Sequence, residues 1–199
     1  MAINMEMTET ETLYCKAQRY FVKKKYNMAL KVWGKISEFK VNDENMMDIV
    51  DSYYLRATIY ARKRDFDAAI ADYTKAAELR KWSRDYEGIA LMYQEKGDLD
   101  RAIAYFTKGI RVGKRCCEGY DSYFFRGKIY LEHKKNYDKA ISDFKNSIKR
   151  CGSKDTCEGC ADAYYYISKA YKAKSEEVRE NYRQLMAKWK AEKIENKRQ

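Results

Sequence analysis

The stretch Tyr53 to Ala77, YYLRATIYARKRDFDAAIADYTKAA, limits what this chain can fold into more than any other. Ala57 and Tyr60 mark one apolar stripe. Phe66, Ala69, Ile70, Tyr73 and Ala77 mark a second, and the steps of three and four residues belong to a helix face. Between them lies the polar run Arg62-Lys63-Arg64-Asp65, suited to a tight turn. Two helices this short cannot bury their own faces, so the hairpin requires neighbours of the same shape.

The chain supplies those neighbours. Ala57, Tyr60, Phe66, Ala69 and Tyr73 recur as Ala90, Tyr93, Leu99, Ala102 and Phe106, a shift of 33 throughout. An earlier copy stands at Ala17, Tyr20, Tyr26, Ala29 and Trp33, and a later one at Gly127, Tyr130, Tyr137, Ala140 and Phe144, with one extra residue in the turn. A final first-helix copy is expected at Ser168 and Tyr171. Small residues recur because two helices cross closely only where no large side chain holds them apart. Aromatic rings then fill the space on either side.

This pattern resembles the tetratricopeptide repeat, with small–x–x–Tyr in one helix and Ala–x–x–x–Phe in the next. The GDLDRAIAYFTKGI segment, Gly97 to Ile110, is especially close to it, and the resemblance covers most of Thr10 to Tyr171. The chain departs from the family in having no proline, which often closes each repeat there. The resemblance implies an all-α, right-handed α-solenoid of antiparallel helix hairpins. Hairpins are expected over about 9–39, 46–80, 83–112 and 120–150, with a partial one over 161–173. A flexible tail is expected over 1–8, and a separate C-terminal capping helix over 174–199 begins at Ser175-Glu176-Glu177. That helix carries its own apolar stripe, Val178, Tyr182, Leu185, Met186 and Trp189.

Length and composition fit this reading. A chain of 199 residues with 36% charged residues suits a single domain of thin helical layers with much surface. No run approaches the roughly 18 apolar residues of a membrane span. The polar, acidic start MAINMEMTETETLY is neither a secretory signal nor a transit peptide, so a cytoplasmic chain is expected, with nuclear or cytoskeletal settings open. A net charge of +11 invites nucleic acid or another anionic partner. The cations are nevertheless interleaved with acids and spread over turns, which fits a solvated exterior better.

Catalytic chemistry finds no foothold. The lone histidine, His133, sits in the fourth turn beside Lys134, away from any recognisable nucleophile motif, and no glycine-rich phosphate loop occurs. Cys15 lies within the first helix as a core or groove residue. Cys116, Cys117, Cys151, Cys157 and Cys160 fall in the two loops flanking the fourth hairpin. Free thiols, a disulfide and a metal site all remain open for them, Cys157-x-x-Cys160 alone being a weak zinc signal. No cofactor is expected.

In the family the first helix of each hairpin lines a concave groove. The resemblance therefore places Tyr14, Gln18, Tyr54, Thr58, Glu87, Leu91, Phe124, Lys128, Tyr165 and Lys169 in a partner-binding groove. One turn earlier stand Glu11, Asp51, Arg84, Asp121 and Asp162. Family members that clamp a peptide carboxylate use Lys, Arg and Asn at such positions; here Tyr14, Tyr54, Glu87 and Glu11 occupy them, which argues against a carboxylate clamp. The expected function is a non-catalytic adaptor that holds a peptide or helix of a partner protein in an aromatic groove. The alternative is a basic subunit of a larger assembly that binds RNA or an acidic cytoskeletal tail through its convex face and C-terminal helix. Self-association also remains open.

Overall fold

The computed structural model describes residues 8–113, 119–150 and 158–195. Among them are nine helices and no strand: α1 Glu9–Val22, α2 Tyr26–Ile36, α3 Met46–Arg62, α4 Phe66–Arg80, α5 Ser83–Glu95, α6 Leu99–Val112, α7 Tyr120–Glu132, α8 Tyr137–Arg150 and α9 Glu158–Glu195. This is the all-α, hairpin-repeat solenoid class that the sequence predicts. The first eight helices pair as the four expected hairpins. None of the described helices is long and apolar enough to cross a membrane.

Each hairpin turns by the same device. The N–H of the residue opening the second helix donates back to the carbonyl of the signature tyrosine: Lys25 to Tyr20, Asp65 to Tyr60 and Asp98 to Tyr93, each 2.9 Å, and Asn136 to Tyr130, 2.8 Å. This long-range closing bond satisfies a carbonyl that the ending helix leaves open. The residue just before it has left-handed backbone in every case: Lys24, Arg64, Gly97 and Lys135. Three of the second helices then gain a side-chain cap, as Asp65, Asp98 and Asn136 accept from the N–H of Ala68, Arg101 and Lys139.

The chain forms two compact units, Met1–Ser122 and Tyr123–Gln199, divided within α7. In the first unit α1 to α6 pack in sequence, each helix against the next. The small signature residues Ala17, Ala29, Ala57, Ala69, Ala90 and Ala102 are fully buried, and Trp33, Tyr73 and Phe106 pack close by. In the second unit the rest of α7 meets α8, and α8 meets α9 around Ala140, Phe144, Ala163 and Ala170. Gly127 lies against the Phe144 ring there.

Two expectations need correction. The partial hairpin and the capping helix are one unbroken helix, α9, of 38 residues and about 57 Å. The supposed junction at Ala173-Lys174-Ser175 holds no glycine or proline to break it, and its neighbours are strong helix formers. The register of the fifth copy also differs. Ser168 and Tyr171 are exposed, while Ala163 and Ala170 are fully buried and do the close packing. Beyond Lys174, whose ammonium pairs with Asp138, the described side chains of α9 are exposed, Val178 at 59% and Tyr182 at 63%.

Candidate functional site

The expected groove residues of the first unit lie on α1, α3 and α5. Six of them, Tyr14, Gln18, Tyr54, Thr58, Glu87 and Leu91, are half-buried, each offering part of its surface. Gln18 donates to the Tyr14 hydroxyl at 2.9 Å, fixing both on α1. On α3 the Tyr54 ring stands edge-on to Tyr73, 5.3 Å between centroids. The Thr58 hydroxyl lies 3.0 Å from the Tyr54 carbonyl, to which it donates.

A cation layer that helical spacing does not reveal completes this surface. The Arg84 guanidinium lies 4.6 Å over the Tyr54 ring and 5.0 Å over the Trp82 ring, and it bonds to Asp51 at 3.3 Å. Arg80, almost wholly buried, stacks on Trp82 at 4.1 Å and donates to both Asp51 and Asp85. Asp85 in turn accepts from the Trp82 N–H, capping α5. The run RKWSRD, with a cation two residues on each side of a tryptophan and an acid three after it, is the sequence signal for this cluster.

The electrostatics of this surface are acidic where they are unpaired. Burial pushes the Glu87 carboxyl above its ordinary value, and hydrogen bonds from the Ser122 and Ser83 hydroxyls, at 2.7 and 3.0 Å, pull the other way. Asp48 is also raised, by burial and by the like charges of Glu11 and Asp51, against a bond from Thr10. Burial raises the Tyr54 phenol as well, opposed by Arg84. Arg84, about half exposed, shares its charge between Asp51 and two rings.

In the second unit the expected positions are placed differently. Phe124 packs edge-on against Phe125, Phe144 and Tyr166, at 5.7, 5.8 and 5.5 Å between centroids, within the unit's aromatic core. The Lys128 ammonium lies 5.3 Å over the Tyr166 ring. Tyr165 is 64% exposed, and Lys169 pairs with Glu132 at 3.5 Å. Phe124 is half-buried, as Tyr54 is, and both pack one side against a second-helix ring.

Other candidate groups are quickly placed. Cys15 is exposed rather than part of the core, since it lies on the side of α1 opposite Ala17's packing face. Cys116, Cys117, Cys151 and Cys157 lie outside the described residues, and only the backbone of Cys160, in the first turn of α9, is described. No cluster of potential metal ligands occurs among the described residues. His133 is exposed in the fourth turn.

Comparison with known proteins settles the family. Models of the tetratricopeptide repeat match residues 50–81, the second hairpin, and 87–156, the third and fourth. The chain belongs to the tetratricopeptide repeat family. No curated protein matches this repeat chain by sequence. Among solved structures it is similar to BtubC (BKLC) from P. vanneervenii, with a TM-score of 0.66, 16% identity, and 83% of this chain and 72% of that one covered. MamA 41-end from Desulfovibrio magneticus RS-1 has a TM-score of 0.59 at 16% identity, covering 74% and 78%. The nearly identical TPR-like repeats of a putative kinesin light chain from Podosopora anserina have a TM-score of 0.61 at 14% identity, covering 91% and 96%. At these identities the likeness is one of fold. Tetratricopeptide repeats are protein–protein interaction scaffolds, and that coarse function holds for this chain.

Proposed function

We propose that this repeat protein is a non-catalytic adaptor whose first helices hold a peptide segment or helix of a partner protein. The carrying observation is the layered surface of Tyr54, Arg84 and Trp82 beside the half-buried Tyr14, Gln18 and Leu91. Rigid aromatic and guanidinium planes give contact area at little conformational cost, as binding surfaces require. The unpaired charge nearby is carboxylate, so the preferred segment carries aromatic or cationic side chains and not a terminal carboxylate grip. The protein works inside a larger assembly of polypeptides, in the cytoplasm. RNA or an acidic tail is the second reading, and it draws on the +11 net charge alone.

Pull-downs from source-cell extract at about 50 and 200 mM salt, with wild type beside Tyr14→Ala/Tyr54→Ala, test this reading. Circular dichroism checks that the variant is folded. A protein partner retained by wild type at the higher salt and lost by the variant is the expected result. Identical partners on both forms, stripped by salt, would overturn it.

A further inference from the structure

The outward face of the first hairpin is unlike the polar end that a repeat stack needs. In the second and third hairpins the corresponding side is covered by the preceding helix, α2 against α3 and α4 against α5. On α1 and α2 no described helix covers it. Instead Leu13, Tyr20, Met28 and Val32 form an apolar strip, with Met28 48% exposed. The strip floors a pocket of about 210 Å³ rimmed by Lys16, Lys31 and Lys35. Through Lys16 and Tyr20 it continues into a hollow of about 470 Å³, which adds Arg19 and Lys23.

No acid lines either hollow, and none of these five cations is ion-paired among the described residues. Glu9 and Glu38 stand only at the far end, beyond Lys35 and beside Phe39. A solubilising end would mix its signs and hide its methionine. An apolar strip between two helices, ringed on three sides by one sign of charge, is complementary to an amphipathic helix whose apolar ridge is flanked by carboxylates. A second copy of this face fits badly, because lysines would meet lysines.

We infer that the α1–α2 face is a second docking surface, taken up by an acidic amphipathic helix of a partner protein that lies where a preceding hairpin would. This surface is separate from the proposed first-helix groove and stands whether or not that reading does.

The test uses the full chain and two fluorescein-labelled synthetic helices with the same leucine ridge, one flanked by glutamates and the other by lysines. Fluorescence anisotropy should show saturable binding of the glutamate helix and at least about tenfold weaker binding of the lysine helix. Lys16→Glu/Lys31→Glu/Lys35→Glu should reverse that preference, and Met28→Asp should abolish binding of both. Tyr54→Ala should leave the affinity unchanged, which separates this surface from the groove. Equal binding of both helices, binding of a polyglutamate peptide as tight as that of the glutamate helix, or loss of binding in Tyr54→Ala would each overturn the inference. So would a requirement to remove residues 1–7 first, or concentration-dependent self-association that excludes the peptide. Circular dichroism of the charge-reversed variant, in which all three changes are exposed, guards against a folding artefact.

Discussion

Arg56 of α3 and Asp72 of α4 are joined by two parallel hydrogen bonds, 2.9 Å from Nε to Oδ2 and 2.6 Å from Nη2 to Oδ1. The fourth hairpin repeats the arrangement with Arg126 and Asp143, at 2.8 and 2.7 Å. Each arginine precedes the small signature residue of its first helix, and each aspartate precedes the aromatic of its second. Both side chains of each pair are largely withdrawn from water. Removing one partner strands the other, so Arg56→Met should lower stability by about 3 kcal/mol. Arg56→Met/Asp72→Leu should recover most of that loss, because no charge is left buried. Urea unfolding of the two variants checks this, and equal losses would refute it.

The left-handed turn residues predict gains rather than losses. Lys24, Arg64 and Lys135 have φ of 56°, 62° and 50°, a region that costs a side-chain-bearing residue about 1 kcal/mol. The third turn already holds Gly97 at the same place. Arg64→Gly and Lys135→Gly should each raise stability by about 0.5 kcal/mol, after the extra freedom glycine gives the unfolded chain is deducted. Gly97→Ala should lose about 1 kcal/mol although its Cβ would meet nothing within 4 Å. Thermal denaturation of the three variants would reveal the opposite signs.

Glycines inside helices separate by what they face. A Cβ on Gly88 would sit 2.8 Å from the Tyr73 ring, and one on Gly127 would sit 2.9 Å from the Phe144 ring. Gly88→Ala and Gly127→Ala should therefore each cost about 1–3 kcal/mol through overpacking. Gly34, in α2, would meet only Arg56 Nη1 at 3.9 Å. Gly34→Ala should stabilise by about 0.5–1 kcal/mol through helix propensity alone. A denaturant midpoint that falls for the first two and rises for the third is the expected pattern.

Glu87 predicts a pH signature. Its carboxyl is raised by burial, so its contribution to stability is full below the unfolded-state value and is lost as pH rises through the folded one. Above that range the ionised side chain is a cost. Glu87→Gln keeps an oxygen to accept from Ser83 and Ser122, and should be more stable than wild type at neutral pH. The difference should close as pH falls below about 4. Chemical denaturation at both pH values tests it, and a gap independent of pH would remove Glu87 as the cause.

Much of the fold is written in the sequence because the determining positions repeat. Ala17, Ala57, Ala90 and Gly127 announce close crossings, and four copies of the pattern fix hairpin boundaries that no single helix would. The register of the fifth copy is not legible, because repetition ends there. Ser168 and Ala170 are both small, and only packing against α8 selects Ala170. The length of α9 was hidden for a similar reason, since Ser175-Glu176-Glu177 reads equally well as a helix start and as a helix interior. At the candidate site, the family resemblance points to Tyr14, Tyr54 and Glu87 but not to the Arg80–Trp82–Arg84 layer. Those residues lie at the junction of α4 and α5, where the chain changes direction and helical periodicity carries no information. Phe124 matches the row too, and its three neighbouring rings are contacts that helical spacing alone does not reveal.

The fourth turn has one residue more than the others and still returns the Asn136 N–H to the Tyr130 carbonyl. The fourth corner thus takes in an extra residue and keeps its closing bond. For an experimenter this corner is a ready splice point: an epitope tag placed between Lys134 and Lys135 would enter an exposed bend while the helices on both sides keep their register.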